Sequence, residues 1–174
     1  MSSYETPVYA VKIKDGSFEL RQYDKFQVVR VDTKNRNDGF RTLFQYISGA
    51  NEKREKISMT VPVIQEQTDE KRTMAFVVPK EYEENVPFPM DSGVAIERMT
   101  WSYVAVIRFS GLASERKIRL KGRELHEWIR KKGWVESGME VVAFYDPPFQ
   151  VPFLRRNEVM IGINWKEERD SGER

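Results

Sequence analysis

A single histidine, His126, and the absence of cysteine restrict this chain's metal and nucleophilic chemistry before any fold is considered. Without a thiol there are no disulfides, thiolate metal sites or cysteine nucleophiles, a composition that fits a reducing cytoplasm. A Ser-His-Asp arrangement needs an oriented base beside its nucleophile, and His126 is the only imidazole on offer. The chain carries no Gly-x-Ser-x-Gly elbow, no phosphate-cradling glycine loop and no His-Glu-x-x-His pair. These features point away from an enzyme and leave carboxylate-only chemistry, such as that of a hydrolase, as the residual catalytic reading.

Charge narrows the partners. Twenty-nine basic residues nearly balance twenty-seven acidic ones, for a net +2, so nothing calls for nucleic acid or an anionic membrane. The basic stretch Arg116 to Arg123, with Arg130 to Lys132, is interspersed with Glu115, Glu124 and Glu127 and reads as a solvated helix face. Glu158 precedes the apolar run Val159 to Ile163 and is the carboxylate best placed for burial, ahead of Glu97 and Glu19. Unpaired in an apolar pocket, such a group has a raised pKa and attracts a cation; paired with Arg155 or Arg156, it is structural. The N-terminus has no basic region followed by an apolar stretch, and no apolar run approaches the ~20 residues of a membrane span. The expectation is a soluble cytoplasmic monomer, with no membrane and a small molecule as partner.

The elements that position these residues follow from periodicity. Phe18 to Tyr23 and Phe26 to Val31 read as strands of a hairpin around Asp24-Lys25. Asn37-Asp-Gly starts a helix whose apolar face is Phe40, Leu43, Phe44 and Ile47, closed by Gly49 and Asn51. The alternation of Ile57, Met59, Val61 and Val63 predicts a strand over 56–64, and Met74 to Val78 predicts one buried on both faces. After the loop Pro79 to Pro89, a second hairpin is expected from Val94 to Met99 and Tyr103 to Phe109. A helix from Ser114 to Lys132, stopped by Gly133, and strands Val141 to Tyr145 and Val159 to Ile163 complete the series. The order β-β-α-β-β thus occurs twice, with Arg30 matching Arg108 and Met74 matching Met160. We expect one domain over residues 1–165, with repeats at about 9–80 and 93–165, and a charged, flexible tail at 166–174.

Five segments carry a family resemblance: Glu5-Thr-Pro-Val-Tyr9, Phe18-Glu-Leu-Arg-Gln-Tyr23, Asn51 to Val63, Tyr145-Asp-Pro-Pro148 and Arg155-Arg-Asn-Glu-Val159. Together they resemble the SOUL/heme-binding protein family over nearly the whole chain. The resemblance implies an α+β fold, a twisted antiparallel β-barrel of about eight strands flanked by two helices and built from two β-β-α-β-β repeats. It also implies a non-catalytic carrier, buffer or sensor of heme or a related tetrapyrrole, not held as a tightly bound prosthetic group. The pocket it implies lies beside the first helix and the loop from Pro147 to Arg156. There Phe40, Phe44, Phe149 and Phe153 would face the macrocycle, with Val151 and Leu154, while Arg41, Arg155 and Arg156 would meet its propionates.

Three positions depart from the relatives. Gln22 stands where some carry an axial histidine, and Gln45 and Gln150 stand where others carry cations. Axial ligation of that type is therefore excluded; His126, Met59 and Met74 are the other side chains weighed as iron ligands. The repeated module also resembles gyrase-inhibitor-like effector domains for amphipathic or cationic small molecules, which gives the alternative reading.

Overall fold

The structure is a computed structural model and describes residues 4–68, 70–146 and 154–167. The first half contains β1 (Tyr9–Asp15), β2 (Phe18–Tyr23), β3 (Phe26–Thr33), α1 (Arg36–Ile47), β4 (Val63–Gln67) and β5 (Arg72–Val77). The second contains β6 (Val94–Met99), β7 (Tyr103–Phe109), α2 (Glu115–Lys132), β8 (Val135–Phe144) and β9 (Asn157–Asn164).

Among the described residues the nine strands join one antiparallel sheet in the order β1-β2-β7-β9-β8-β4-β5-β3-β6. The sheet does not close, which corrects the expected barrel of about eight strands. Among the described residues β1 pairs only with β2, and β6 only with β3. Closure needs a ladder between those two edges. Instead β1 shifts register between Val11 and Ile13 and is largely exposed, the features of an edge that is not paired further. Side chains do the work of a closing ladder: Tyr23, Phe26, Val28, Ile64, Val77, Val104, Val106 and Met160 form one core cluster from both halves of the curved sheet.

Three other expectations change. Neither expected hairpin forms, because β2 pairs with β7 and β3 pairs with β6. Asp24-Lys25 lacks the Asn-Gly type of turn that locks a two-residue hairpin, so non-local burial decides the pairing. Leu20 of β2 joins Ala105 and Ile107 of β7 under α2, a contact that a local hairpin would forfeit. Secondly, the ladder of β4 begins at Val63 rather than at Lys56. Upstream, Thr60 Oγ1 donates to the Val77 carbonyl at 2.5 Å and the Val61 N–H donates to Glu5 O, with Thr60 and Pro62 buried. Ile57, Met59 and Val63 do pack in the α1 cluster, but Val61 does not. Thirdly, β1 was not expected as a strand.

The helices lie over the other face. α1 is capped by Asn35, whose side chain accepts from Asp38 N, two residues before the expected start. Leu43, Tyr46 and Ile47 pack on Val29, Val31, Met74 and Phe76. Gly39 permits that approach, since a Cβ there would lie 2.8 Å from Thr33 Cγ2. α2 has the expected bounds, with Ser114 as N-cap and Gly133 at φ 74° as its left-handed terminus. Leu125, Trp128 and Ile129 pack over Leu20, Ile107 and Ile161.

One polar contact crosses the concave core. Arg21 of β2 reaches past β7 to Glu158 of β9, donating from Nη1 and Nη2 to its two carboxylate oxygens at 2.7 and 2.6 Å. Both side chains are fully buried. Arg21 also donates to Glu19 and to the Tyr23 hydroxyl and lies over the Tyr9 ring. Burial alone raises a carboxyl pKa, but the hydrogen bonds and charge of Arg21, with Arg156 behind it, hold Glu158 below the ordinary glutamate value.

Breaking this pair with Glu158→Gln leaves buried Arg21 with only Glu19 as counter-ion and is expected to cost about 3 kcal/mol in urea unfolding. The double change Arg21→Met/Glu158→Leu is expected to recover most of that loss. Because the folded pKa of Glu158 is depressed, its contribution is complete above the unfolded value of about 4.3. It is lost as pH falls through the lower folded value, so stability of the wild type, but not of the double variant, is expected to decline there.

Candidate functional site

Where α1 and the start of α2 flank the seam between β4 and β8, the sheet leaves a cleft of about 820 Å³. Its floor comes from four neighbouring strands: Met74 of β5, Val63 of β4, Phe144 of β8 and Asn157 of β9. Phe40 and Phe44 of α1 form one wall and Leu112 to Ser114 the other. Arg36, Arg41, Arg155 and Asp146 complete the lining.

The wall of α1 follows from helical geometry. Phe40 and Phe44 are one turn apart and flank the buried stripe of Leu43, Tyr46 and Ile47. Leu43 is 0% exposed, whereas Phe40 and Phe44 are 39% and 50% exposed. Their rings stack with centroids 6.0 Å apart, and Phe40 meets Phe76 edge to face at 5.3 Å. The expected apolar stripe therefore divides, with Leu43 and Ile47 in the core and the two phenylalanines at the cleft. Opposite them, Asn157 Nδ2 donates to the Gly111 carbonyl at 2.9 Å, which ties the Leu112 loop to β9.

Arg36 is a half-buried cation of the site. Its Nε donates to the neutral Gln65 Oε1 at 2.9 Å, and its guanidinium lies 4.7 Å over the Phe144 ring. Burial, followed by the nearby Arg72 charge, lowers its pKa from the ordinary arginine value. Asp146 is the acid in the lining, and its Oδ2 already accepts from the Arg156 N–H. The cleft thus has an apolar body and a positive rim.

The candidate residues separate accordingly. Phe40, Arg41, Phe44 and Arg155 come together at the cleft. Arg156, just before β9, turns away from the cleft and bonds Glu158 and the Tyr9 hydroxyl with its guanidinium 4.0 Å over the Tyr145 ring. Leu154 is exposed and does not line the cleft. Phe149, Val151, Phe153 and Gln150 lie outside the described residues. Gln22 does not line the cleft, and Gln45 is exposed on α1. His126 projects from α2 to Glu136 and Glu140 of β8, away from the cleft, whereas Met74 forms part of its floor. Glu158 is fully paired, as are the weaker candidates: Glu19 bonds Arg21, and Glu97 bonds Arg30 at 3.0 Å. Arg36, Val63, Leu112 and Phe144 were not anticipated. The Asn35/Asp38 cap was the available signal that Arg36 belongs to the helix.

Among solved structures, the chain resembles the EcmrR C-terminal domain, with a TM-score of 0.65 and 11% identity, covering 90% of this chain and 98% of that one. It also resembles a hydrolase from Listeria innocua, with a TM-score of 0.57 and 15% identity, covering 88% and 94%. At those identities the likeness defines the class of fold and nothing more. The SOUL heme-binding protein family model matches residues 4–162. The chain is 27% identical over 161 residues to heme-binding protein 1 of Sus scrofa, covering 85% of each chain. It is 29% identical over 160 residues to heme-binding protein 2 of Homo sapiens, covering 84% of this chain and 78% of that protein. The chain belongs to the SOUL heme-binding protein family.

If Phe44 serves the cleft rather than the core, Phe44→Ala is expected to cost under about 1 kcal/mol. Leu43→Ala, one residue away, should cost about 3 kcal/mol. Urea unfolding of the two variants distinguishes the roles.

Proposed function

We propose that this protein is a non-catalytic carrier, buffer or sensor of heme or a related tetrapyrrole, held in the cleft beside α1. The observation that carries the reading is an apolar slot of Phe40, Phe44, Val63, Met74 and Phe144 rimmed by Arg36, Arg41 and Arg155. Its volume of about 820 Å³ falls in the range of small-molecule sites, about 300–1,000 Å³. The lining fits the group: aromatic and aliphatic side chains exclude water from a macrocycle face, and guanidinium forks match carboxylates at its edge. Family membership supports the same ligand class.

With Gln22 in place of an axial histidine and His126 engaged by Glu136, recognition in this reading rests on the face and edge of the ligand. Heme is then a loosely held ligand. Residues 1–165 act as one domain of two repeats, an organisation supported by the sheet order, which reads β4-β5-β3-β6 and β8-β9-β7-β2 outward from its middle. Among the described residues no helix is long and apolar enough to cross a membrane. We place the protein in the cytoplasm as a monomer with no nucleic-acid partner.

Titration with hemin and with iron-free protoporphyrin, followed by protein fluorescence and by the Soret band for hemin, tests this reading. Saturable one-to-one binding of both is expected, with affinities within about tenfold of each other because no imidazole–iron bond distinguishes them. The double variant Arg41→Ala/Arg155→Ala is expected to weaken both by about tenfold. Uptake that rises without saturating would sink the proposal.

A further inference from the structure

Arg36 lines the apolar cleft and also an adjoining cavity of about 380 Å³. This second cavity is bounded by the first residues of α1, by Ser114 and Glu115 at the start of α2, and by Arg72 at the head of β5. Arg72 does not line the apolar cleft, so the two compartments share Arg36 and differ in Arg72. Arg36 is held by a neutral amide, and among the described residues it makes no ion pair. Arg72 Nη2 donates to Gln67 at 3.0 Å and lies 3.6 Å from a Glu115 carboxylate oxygen. The Glu115 side chain is 67% exposed, so that contact is long and solvent-screened. Two guanidiniums thus face one small cavity with a single, loosely held carboxylate between them. Like charges held near each other, both of them partly buried, lose free energy when an oxyanion enters.

We propose that Arg36 and Arg72 form an oxyanion subsite that takes one carboxylate of the ligand whose apolar body occupies the adjoining cleft. The second carboxylate is assigned to the cleft side, where Arg41 and Arg155 are in the lining. The inference rests on the tetrapyrrole reading and adds to it a ligand polarity: one acidic edge group points along the α1/α2 seam toward β5. Glu115 is the gate in electrostatic terms, since its carboxylate competes for Arg72.

The test compares protoporphyrin, a diacid, with its uncharged dimethyl ester in phosphate-free buffer, for wild type, Arg72→Gln, Arg72→Lys and Glu115→Gln. Wild type is expected to favour the acid by about tenfold or more. Arg72→Gln should weaken the acid about three- to tenfold and leave the ester within about twofold, with Arg72→Lys intermediate. Glu115→Gln, which opens no cavity, should tighten the acid alone. Inorganic phosphate should compete with the acid and not with the ester. If Arg72→Gln weakens acid and ester equally, the subsite is overturned and the tetrapyrrole reading stands. If wild type binds acid and ester alike, the subsite and the arginine rim are overturned together and only the apolar slot of that reading remains. A phosphate-dependent rise in Tm that is lost in Arg72→Gln, with acid and ester still bound alike, assigns the pair to free oxyanions and overturns the ligand-carboxylate role. Saturable binding of neither porphyrin overturns both readings together.

Discussion

The buried Arg21–Glu158 pair is the constraint on which the site depends. It joins β2 to β9 across the intervening β7, and it fixes which face of β9 looks inward. Side chains of a strand alternate, so a slip of one residue would exchange its faces. With Glu158 committed to the inner core, its strand neighbour Asn157 is delivered to the cleft, and just before the strand Arg156 follows Glu158 while Arg155 lines the cleft. The surrounding phenols reinforce the arrangement. Burial pushes the Tyr145 hydroxyl up, and burial outweighs Arg21 to bring Tyr23 up to about 12, so both stay protonated, Tyr145 bonding Glu158 and Tyr23 accepting from Arg21. Among the described residues no buried side-chain polar atom lacks a hydrogen-bond partner, as a fully satisfied network requires.

An open sheet and a seam cleft are consequences of the same topology. β2 and β6 each pair into the opposite half, which binds the halves together through long-range ladders and leaves β4 and β8 to meet at the centre. The helices cover the two flanks, α1 over β3 and β5 and α2 over β7 and β9. Between them the start of β4 and the end of β8 are left uncovered, and the half-buried Val63 and Phe144 become a ligand-sized floor. The cleft is thus the space that two helices of this length and spacing leave over one sheet.

Much of the scaffold was legible in the sequence because its signals are local. The 3.6-residue stripe of α2, its Ser114 cap and its Gly133 terminus each act within a turn or two, and the helix has the bounds they specify. The apolar run of β5 is likewise buried as expected. The motif residues that carry the family resemblance are largely architectural. Asn51 bonds the Tyr46 and Glu55 carbonyls, Thr60 bonds Val77, and Arg21, Arg156 and Glu158 form the central network. Site residues such as Val63, Leu112 and Phe144 carry no such signal, since an apolar residue at a strand end reads the same whether it faces core or cleft.

By itself the sequence determined the helices, most of the strands, the absence of thiol chemistry and the family, because those follow from periodicity, caps and residue types along the chain. Tertiary structure alone decided the pairing of strands, since distant apolar faces outweighed the weak turns at Asp24-Lys25 and beside Trp101. It decided that Phe40 and Phe44 leave the core while Leu43 enters it, a division set by how α1 sits on β3 and not by helical spacing. It also separated two adjacent arginines just before β9: Arg155 lines the cleft, while Arg156 is drawn to the buried Glu158 carboxylate and stacks over Tyr145.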